Sequence, residues 1–302
     1  MKWEGNRESD NVEDRRDEPG GGGSRSAGGL LGGRSIGIGT IVVALLGGWI
    51  FGINPMTILS MLSGGAPPAQ VQQQTEGQRA PAPHSPADDR MAKFVRTVLA
   101  DTEDVWKVVF AKGGATYKEP RLVLFRGQTN TGGCGAGQSA MGPFYCPSDQ
   151  KVYIDLAFYE TLTKRLGAPG EFAQAYVIAH EVGHHVQNLL GISAKVDEMR
   201  GRVSKVEYNA LSVKLELQAD CFAGVWAFNA NNSRQILEGG DIAAAMNAAA
   251  KIGDDALQRS AGGTVVPESF THGSSAQRQK WFETGLKTGS VKACDTFKVG
   301  NL

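Results

Sequence analysis

Residues 171–190 read EFAQAYVIAHEVGHHVQNLL, and the interpretation of the whole chain starts from this stretch. Its apolar residues recur every three or four positions, which is the period of an amphipathic α-helix. They are Phe172, Ala175, Ile178, Ala179, Val182, Val186 and Leu189. Gly191 follows, at the position where a left-handed residue commonly ends a helix. We therefore predict a helix over 171–190.

The predicted helix contains the pattern His-Glu-x-x-His. His180 and His184 are four residues apart and share one helical face, so both imidazoles can bind the same metal ion. Glu181 lies beside them, where its carboxylate can act as a general base toward a water molecule. We predict that His180 and His184 are zinc ligands and that Glu181 is catalytic; the alternative is a pair of ordinary helix histidines. His185 points elsewhere, and we expect a packing or surface role for it.

A second predicted helix, over 211–228, supplies a candidate third ligand. Glu216 would complete a set of two histidines and one glutamate and would leave a fourth position open, as in catalytic zinc sites. Asp220 shares its face and can accept the free N–H of His180, which fixes the tautomer of that imidazole. The alternative for both acids is a solvated helix face. Their neighbours favour burial, because they are largely apolar: Leu215, Leu217, Ala219, Cys221 and Phe222.

The rest of the C-terminal two thirds predicts an α+β fold with few strands and a helical majority. Helical periodicity also appears at 89–110 and 241–257, and Ser274 and Gln277 have the spacing of a capping box for a last helix. Residues 127–147 are rich in Gly, Ser and Pro and predict a loop. Apolar stretches at 121–125 and 151–156 predict two strands.

Two features near the predicted site are weaker candidates. The strand at 151–156 could bind a substrate backbone by strand addition if its edge is exposed. His272 lies in the polar stretch FTHGSS before the last helix. Taken alone, its position favours an ordinary loop residue.

The composition of the whole chain excludes two classes of protein. Over all 302 residues, 31 basic side chains balance 31 acidic ones, which argues against a protein that mainly binds nucleic acid. Mean hydropathy of −0.23 is too low for a polytopic membrane protein.

The first third of the chain differs in composition from the rest. Residues 1–35 are charged and then glycine-rich, which predicts a disordered tail. The uncharged stretch IGIGTIVVALLGGWIFGI at 36–53 predicts one membrane anchor, extending to 62.

The flanks of the apolar stretch predict an orientation. Six basic residues precede it, and only Arg79 appears between 54 and 86, so the positive-inside rule places the N-terminus in the cytoplasm and the domain outside. Residues 63–87 are a Pro/Gln-rich linker, and 88–302 form the predicted domain. We expect a single-pass protein of a bacterial inner (cell) membrane, with its catalytic domain periplasmic or extracellular.

All four cysteines follow the apolar stretch, and their even number suggests two disulfides in an oxidising compartment. Three pairings are possible. We expect Cys134–Cys146 as a local loop closure and Cys221–Cys294 as a bond between the C-terminus and an inner helix. A zinc cluster is a weaker alternative, because there is no CxxC pair.

The chain resembles the bacterial neutral zinc metallopeptidase family. The similarity rests on KWEGNRESDNVEDRR at 2–16, HEVGHHVQ at 180–187, ELQADCFAG at 216–224 and FTHGSSAQR at 270–278. The chain is also distantly similar to M48-type zinc proteases, which combine HExxH with a later Glu-x-x-Ala-Asp, here 216–220, and a late Thr-His-Pro segment before a helix. This similarity implies a zincin-like domain and a catalytic role for His272 in stabilising the transition state. Gly273 replaces the proline of that pattern. The opening motif receives no role from the resemblance.

We therefore predict a membrane-anchored zinc endopeptidase. His180, His184 and Glu216 would hold Zn²⁺, Glu181 would be the base, and His272 would donate to the oxyanion. The partners would be a peptide or protein substrate and, through the anchor, a membrane, but no nucleic acid. The alternative is a non-enzymatic or latent zinc protein, such as an envelope chaperone or adaptor. The intact Glu181 argues against a purely structural site, which would not require it.

Overall fold

The central sheet joins strands that are far apart in sequence. The computed structural model describes residues 1–18, 85–138 and 142–298. Its four-stranded sheet has the order β1 (Val12–Asp14), β2 (Arg121–Phe125), β6 (Lys151–Asp155) and β5 (Phe144–Cys146). The first three are parallel, and β5 is antiparallel to β6. A separate hairpin pairs β3 (Gln128–Asn130) with β4 (Ala136–Gln138).

The two inner strands, β2 and β6, are buried on both faces. This explains why RLVLF and KVYID are nearly continuous in hydrophobicity rather than alternating. Leu122, Leu124, Val152 and Ile154 face the main core. The opposite face carries a smaller cluster around Val123, Phe125, Tyr153 and the half-cystine Cys146.

The helices pack on the main-core face of this sheet. They run as α1 (Pro86–Lys112), α2 (Ala157–Lys164), α3 (Glu171–Leu189), α4 (Ile192–Asp197), α5 (Lys205–Arg234), α6 (Asp241–Lys251), α7 (Asp254–Ser260) and α8 (Ser275–Thr288). Two short 3₁₀ turns lie at Pro267–Ser269 and Val291–Cys294. The mostly helical α+β prediction is confirmed.

Capping boxes begin three of these helices. The N-cap serines are Ser85, Ser204 and Ser274, each bonded reciprocally with the residue three positions later. The box at Ser274 was predicted and is confirmed. The box at Ser204 starts α5 earlier than the predicted position 211. Gly191 has a φ of 70°, as expected for the residue that ends α3.

Helices α5 and α8 cross in direct backbone contact. A Cβ added at Gly285 would lie 1.9 Å from the carbonyl oxygen of Cys221, and one at Gly224 would lie 2.1 Å from that of Phe282. Glycine is therefore required at both positions of the crossing. The disulfide Cys221–Cys294 ties the segment after α8 to the same helix α5. The second bond joins Cys134 and Cys146, so both predicted pairings are confirmed.

Residues 1–18 are not a disordered tail, contrary to the prediction for 1–35. They form β1 and pack against the domain, and Trp3 is only 3% exposed. The prediction from composition was wrong for 1–18 because a high density of charges does not reveal whether each charge has a partner in the folded domain. The rest of that predicted tail lies outside the described residues.

The predicted anchor at 36–62 and nearly all of the linker at 63–87 also lie outside the described residues. Among the helices that the structure does describe, none combines the length and hydrophobicity needed to span a bilayer.

Three smaller predictions need correction. The helix expected over 241–257 is broken at Gly253, whose extended backbone (φ −71°, ψ 144°) separates α6 from α7; a Cβ there would lie 2.5 Å from the backbone nitrogen of Ser275, so a larger residue does not fit. The loop expected over 127–147 contains the β3–β4 hairpin and β5. Strand β6 cannot take an added substrate strand, since β2 and β5 already pair with both of its edges.

Candidate metal centre

Three predicted ligands converge between helices α3 and α5. The Nε2 atom of His180 lies 3.3 Å from Glu216 Oε2, and the Nε2 atom of His184 lies 3.5 Å from Glu216 Oε1. One ligand atom from each of the three residues lies within 4.8 Å of the others. The structure thus brings together the three side chains predicted from separate helices.

A close helix contact makes this convergence possible. A Cβ added at Gly183 would lie 3.0 Å from the carbonyl oxygen of Ala219 and 3.1 Å from its Cα. Gly183 occupies the position before the second histidine of HExxH, so α5 approaches α3 at the level of the predicted ligands. This contact brings Glu216, three residues before Ala219, within reach of both imidazoles.

Asp220 orients His180, as predicted. The Nδ1 atom of His180 lies 2.8 Å from Asp220 Oδ1, so its Nε2 atom remains free to face Glu216. Asp220 is fully buried, and Arg278 of α8 donates to both of its oxygens, at 2.8 and 2.9 Å. The hydroxyl of Tyr176 donates to the same carboxylate. Burial alone would raise the pKa of Asp220, but Arg278 and His180 lower it to about 2.

His184 is oriented through a separate chain of hydrogen bonds. Its Nδ1 atom lies 2.9 Å from Oε1 of Gln187, one turn later on α3. The amide of Gln187 donates in turn to the carbonyl of Leu215 and to Oε1 of Gln218 on α5. Both histidines therefore have their Nδ1 atoms engaged and their Nε2 atoms directed at Glu216.

Glu181 lies beside the cluster and is only 7% exposed. Burial is the main reason that its pKa is raised, and the charge of Glu216 acts in the same direction. A carboxyl group with a raised pKa is better matched to proton transfer near neutral pH than an exposed glutamate. Tyr159 of α2 is buried nearby, and its hydroxyl has no hydrogen-bond partner among the residues that the structure describes.

His272 lies in the loop before α8 and is held by Asp254, the first residue of α7. Its Nδ1 atom lies 3.2 Å from Asp254 Oδ1, while Oδ2 accepts the backbone N–H groups of Thr271, His272 and Gly273. The imidazole remains about half exposed. It is close enough to Glu216 for each charge to shift the pKa of the other group. Gly273 has a φ of 89°, and a Cβ there would contact Leu217 of α5 at 3.1 Å.

His185 is a packing residue, as expected. It is fully buried; its Nε2 atom donates to the carbonyl of Lys118, and its Nδ1 atom accepts from the hydroxyl of Tyr145. Tyr145 precedes the half-cystine Cys146 in β5, so this histidine attaches the disulfide loop to the helix that carries HExxH.

Comparison with known proteins agrees with this geometry. Residues 1–297 match the family described as "Putative neutral zinc metallopeptidase". The chain belongs to this family. The uncharacterized protein YpfJ of Escherichia coli K12 is 50% identical over 297 residues, which are 98% of this chain and 99% of that protein. The uncharacterized protein Rv2575 of Mycobacterium tuberculosis H37Rv is 44% identical over 209 residues, 66% of this chain and 68% of that one. No solved structure matches the chain significantly.

The charges of this zinc metallopeptidase family member favour a cation at the cluster. Burial alone would lower the pKa of His180, but Asp220 and Glu216 raise it to about 10. The pKa of His184 is also raised, by Glu216, against the effect of burial. Carboxylates that stabilise a proton on these imidazoles would also attract a divalent metal ion in its place.

Three residues that surround the metal cluster were not predicted from the sequence. Arg278 lies in a quoted motif but was given no role, although it neutralises Asp220. Asp254 and Tyr159 were not considered, because they come from segments far from HExxH. The FTHGSSAQR motif could have pointed to Arg278, which is its last residue. Hydrophobic periodicity gives no indication of a role for Asp254 or Tyr159.

Proposed function

We propose that this protein is a zinc-dependent endopeptidase. The observation that carries the proposal is the convergence of His180, His184 and Glu216, with the carboxylate of Glu181 beside them. Belonging to a zinc metallopeptidase family supports the same activity. The proposed site would be zincin-like, with one helix supplying two histidines and the base and a second helix supplying an acid.

The donor set fits zinc. Two imidazole nitrogens and one carboxylate are ligands that Zn²⁺ accepts, and three protein ligands leave a position open for catalysis. Asp220 and Gln187 hold the two imidazoles with their Nε2 atoms free. When bound, zinc would polarise the substrate carbonyl and lower the pKa of water at the site.

In this proposal Glu181 moves the proton. Its carboxylate would accept a proton from the attacking water and deliver it to the nitrogen of the leaving amine. Its burial keeps bulk water from competing for that proton.

His272 is proposed to donate to the oxyanion that forms at the carbonyl. The carboxylate of Asp254 bonds Nδ1 of the imidazole, so Nε2 is the atom that would face substrate. A donor fixed before reaction stabilises developing charge without reorganisation. Asp254 also fixes the backbone of residues 271–273, which sets the position of the ring.

The proposed site of action is an oxidising compartment outside the cytoplasm. Both disulfides use cysteines of the domain, and all four cysteines of the chain are paired. Such bonds persist mainly in exported proteins. Attachment to the membrane through 36–62 is proposed from sequence hydrophobicity alone.

The test uses the full chain, purified in detergent, with unfolded casein as substrate. Zinc content and cleavage would be measured for the wild type, for Glu181→Gln and for the exposed control Glu198→Gln. We expect about one zinc per chain in all three, cleavage by the wild type and the control, and at least ~10²-fold less cleavage by Glu181→Gln. Undiminished cleavage by Glu181→Gln would refute the mechanism, and zinc without any cleavage would favour the latent or non-enzymatic alternative.

A further inference from the structure

We infer that residues 1–18 lie on the same side of the membrane as the metal centre, so that the chain does not cross a bilayer once between them. The inference rests on contacts between 1–18 and 85–298, both of which the structure describes. It gives a role to the opening motif KWEGNRESDNVEDRR, which the proposed activity does not explain.

The N-terminal segment contributes a strand to the domain's own sheet. Val12, Glu13 and Asp14 pair in parallel register with Leu122, Val123 and Leu124. Backbone hydrogen bonds run from Leu122 to the carbonyl of Asn11 and from Arg15 to the carbonyl of Leu124, at 2.9 and 2.8 Å. Without β1, strand β2, in which four of the five residues are buried, would present an unpaired edge, which folded proteins avoid.

Trp3 anchors the start of the segment against two helices. Its ring packs edge-on against Phe94 of α1 at a centroid distance of 5.3 Å. Its Nε1 atom donates to Glu171, the first residue of the HExxH helix α3, at 2.9 Å. A nearly fully buried tryptophan with its N–H satisfied is a core residue rather than part of a tail.

The domain also contains a buried carboxylate whose described donors all come from this segment. Glu103 of α1 is 1% exposed, and it accepts hydrogen bonds from Arg7, Ser9 and Asn11. A buried carboxylate without partners is costly. The domain is therefore built to carry residues 1–18.

Ion pairs continue this attachment along β1. Lys151 of β6 contacts Glu13 at 2.7 and 2.9 Å, and Arg121 of β2 contacts it at 3.3 Å. Arg96 of α1 lies 3.3 Å from Asp14. These basic residues of the domain complement the acidic pair at 13–14 of the motif.

A single crossing between 18 and 85 would place the two halves of this sheet on opposite faces of the bilayer. A cytoplasmic N-terminus combined with a domain outside the cytoplasm is therefore incompatible with the pairing of β1 and β2. Two helical crossings would need roughly 40 apolar residues. The apolar stretch runs from 36 to 62, which is too short for two helical crossings. In this proposal residues 1–18 and the metal centre therefore lie on one side of the membrane.

Cysteine labelling in spheroplasts tests the inference directly. Because all four native cysteines are disulfide-bonded, one introduced cysteine is the only free thiol of the chain. Asp10→Cys would report on the N-terminal segment and Lys205→Cys on the domain; both positions are exposed. Each would be treated with a membrane-impermeant maleimide before and after lysis of spheroplasts that express the full chain.

We expect the two cysteines to respond alike, either both labelled in intact spheroplasts or both labelled only after lysis. Labelling of one but not the other before lysis would place them on opposite sides and overturn the inference. The result does not depend on catalysis, so failure of the proposed activity would leave it unaffected.

A charge reversal tests the contact itself in native membranes. Glu13→Lys should increase the susceptibility of the full-length protein to limited proteolysis by about 10-fold, whereas the exposed control Asp10→Lys should leave it unchanged. Adding Lys151→Glu to Glu13→Lys should restore part of the resistance. Equal behaviour of Glu13→Lys and Asp10→Lys would show that residue 13 does not contact the domain and would overturn the inference.

Discussion

Asp220 lies 2.8 Å from Nδ1 of His180, and it stands one helical turn after Glu216 on the same face of α5. One helix thus supplies both the proposed third ligand and the acceptor that orients the first ligand. Arg278 donates to both oxygens of Asp220 and keeps it ionised. A carboxylate held in this way fixes which nitrogen of His180 is free for a metal.

Removing the charge of Asp220 should therefore weaken metal binding without removing a ligand. We expect Asp220→Asn to lower zinc affinity by about 10–100-fold. The amide can still accept from the imidazole, but it no longer balances Arg278. Competition with a chromogenic chelator would measure the change, with the exposed Glu198→Gln as control. Equal zinc affinities for Asp220→Asn and the wild type would show that the 2.8 Å contact between Asp220 and His180 does not affect metal binding.

His272 and Asp254 should affect turnover rather than zinc content. We expect His272→Ala to lower kcat by about 10²–10³-fold with zinc retained, because an oxyanion donor acts in the transition state. Asp254→Asn keeps an acceptor for the backbone of the loop but loses the carboxylate that holds the ring. Its kcat should fall by about 10-fold with KM nearly constant. A rise in KM alone would instead assign His272 to substrate binding.

The crossing of α5 and α8 should tolerate no side chain at Gly285. A Cβ there would overlap the carbonyl of Cys221 at 1.9 Å, so Gly285→Ala should destabilise the fold by about 3 kcal/mol or more. Gly239→Ala is the matched control, because nothing lies within 4 Å of its added Cβ. It should change stability by less than about 1 kcal/mol. Urea unfolding of both variants measures the difference, and equal midpoints would contradict the close crossing.

Glu13 should make the stability of the fold depend on acid pH. Burial alone would raise its pKa, but Lys151, Arg15 and Arg121 lower it to about 2. A depressed folded-state pKa means that this stabilisation is complete above about pH 4.5 and is lost as pH falls toward 2. The wild type should exceed Glu13→Gln in unfolding free energy by about 1–2 kcal/mol at pH 7.

That difference should shrink steadily below pH 4.5 and approach zero only at about pH 2. Asp10→Asn, at an exposed position of the same segment, is the control for the removal of one acidic charge. A constant gap between the wild type and Glu13→Gln across this range would show that the ion pairs at residue 13 do not form.

Local signals made part of this structure predictable. The period of α3, the histidine spacing at 180 and 184 and the capping box at Ser274 depend on residues within one or two turns of each other. These features appear as predicted. The pairing of Glu216 with the histidines was also predicted, but only because the chemistry of zinc demanded a third ligand.

Long-range contacts explain what was missed. Residues 1–18 resemble a disordered tail by composition, because their partners Glu103, Lys151 and Phe94 are some 80 to 140 positions away. The break at Gly253 was hidden for the same reason. Helical periodicity continues through it, and the constraint comes from the approach of Ser275.

The sequence by itself determined the candidate ligand types and the helix that carries HExxH, since each follows from local period or from the chemistry of the side chains. It left three disulfide pairings open, and the structure decided among them. The tertiary structure decided which strands pair, that β6 lies inside the sheet, and that the N-terminal motif belongs to the domain. It also placed Arg278 and Asp254 around the site. These outcomes depend on which distant surfaces meet, and the free energy of burying a charge with its partner is set only when the whole chain has folded around both.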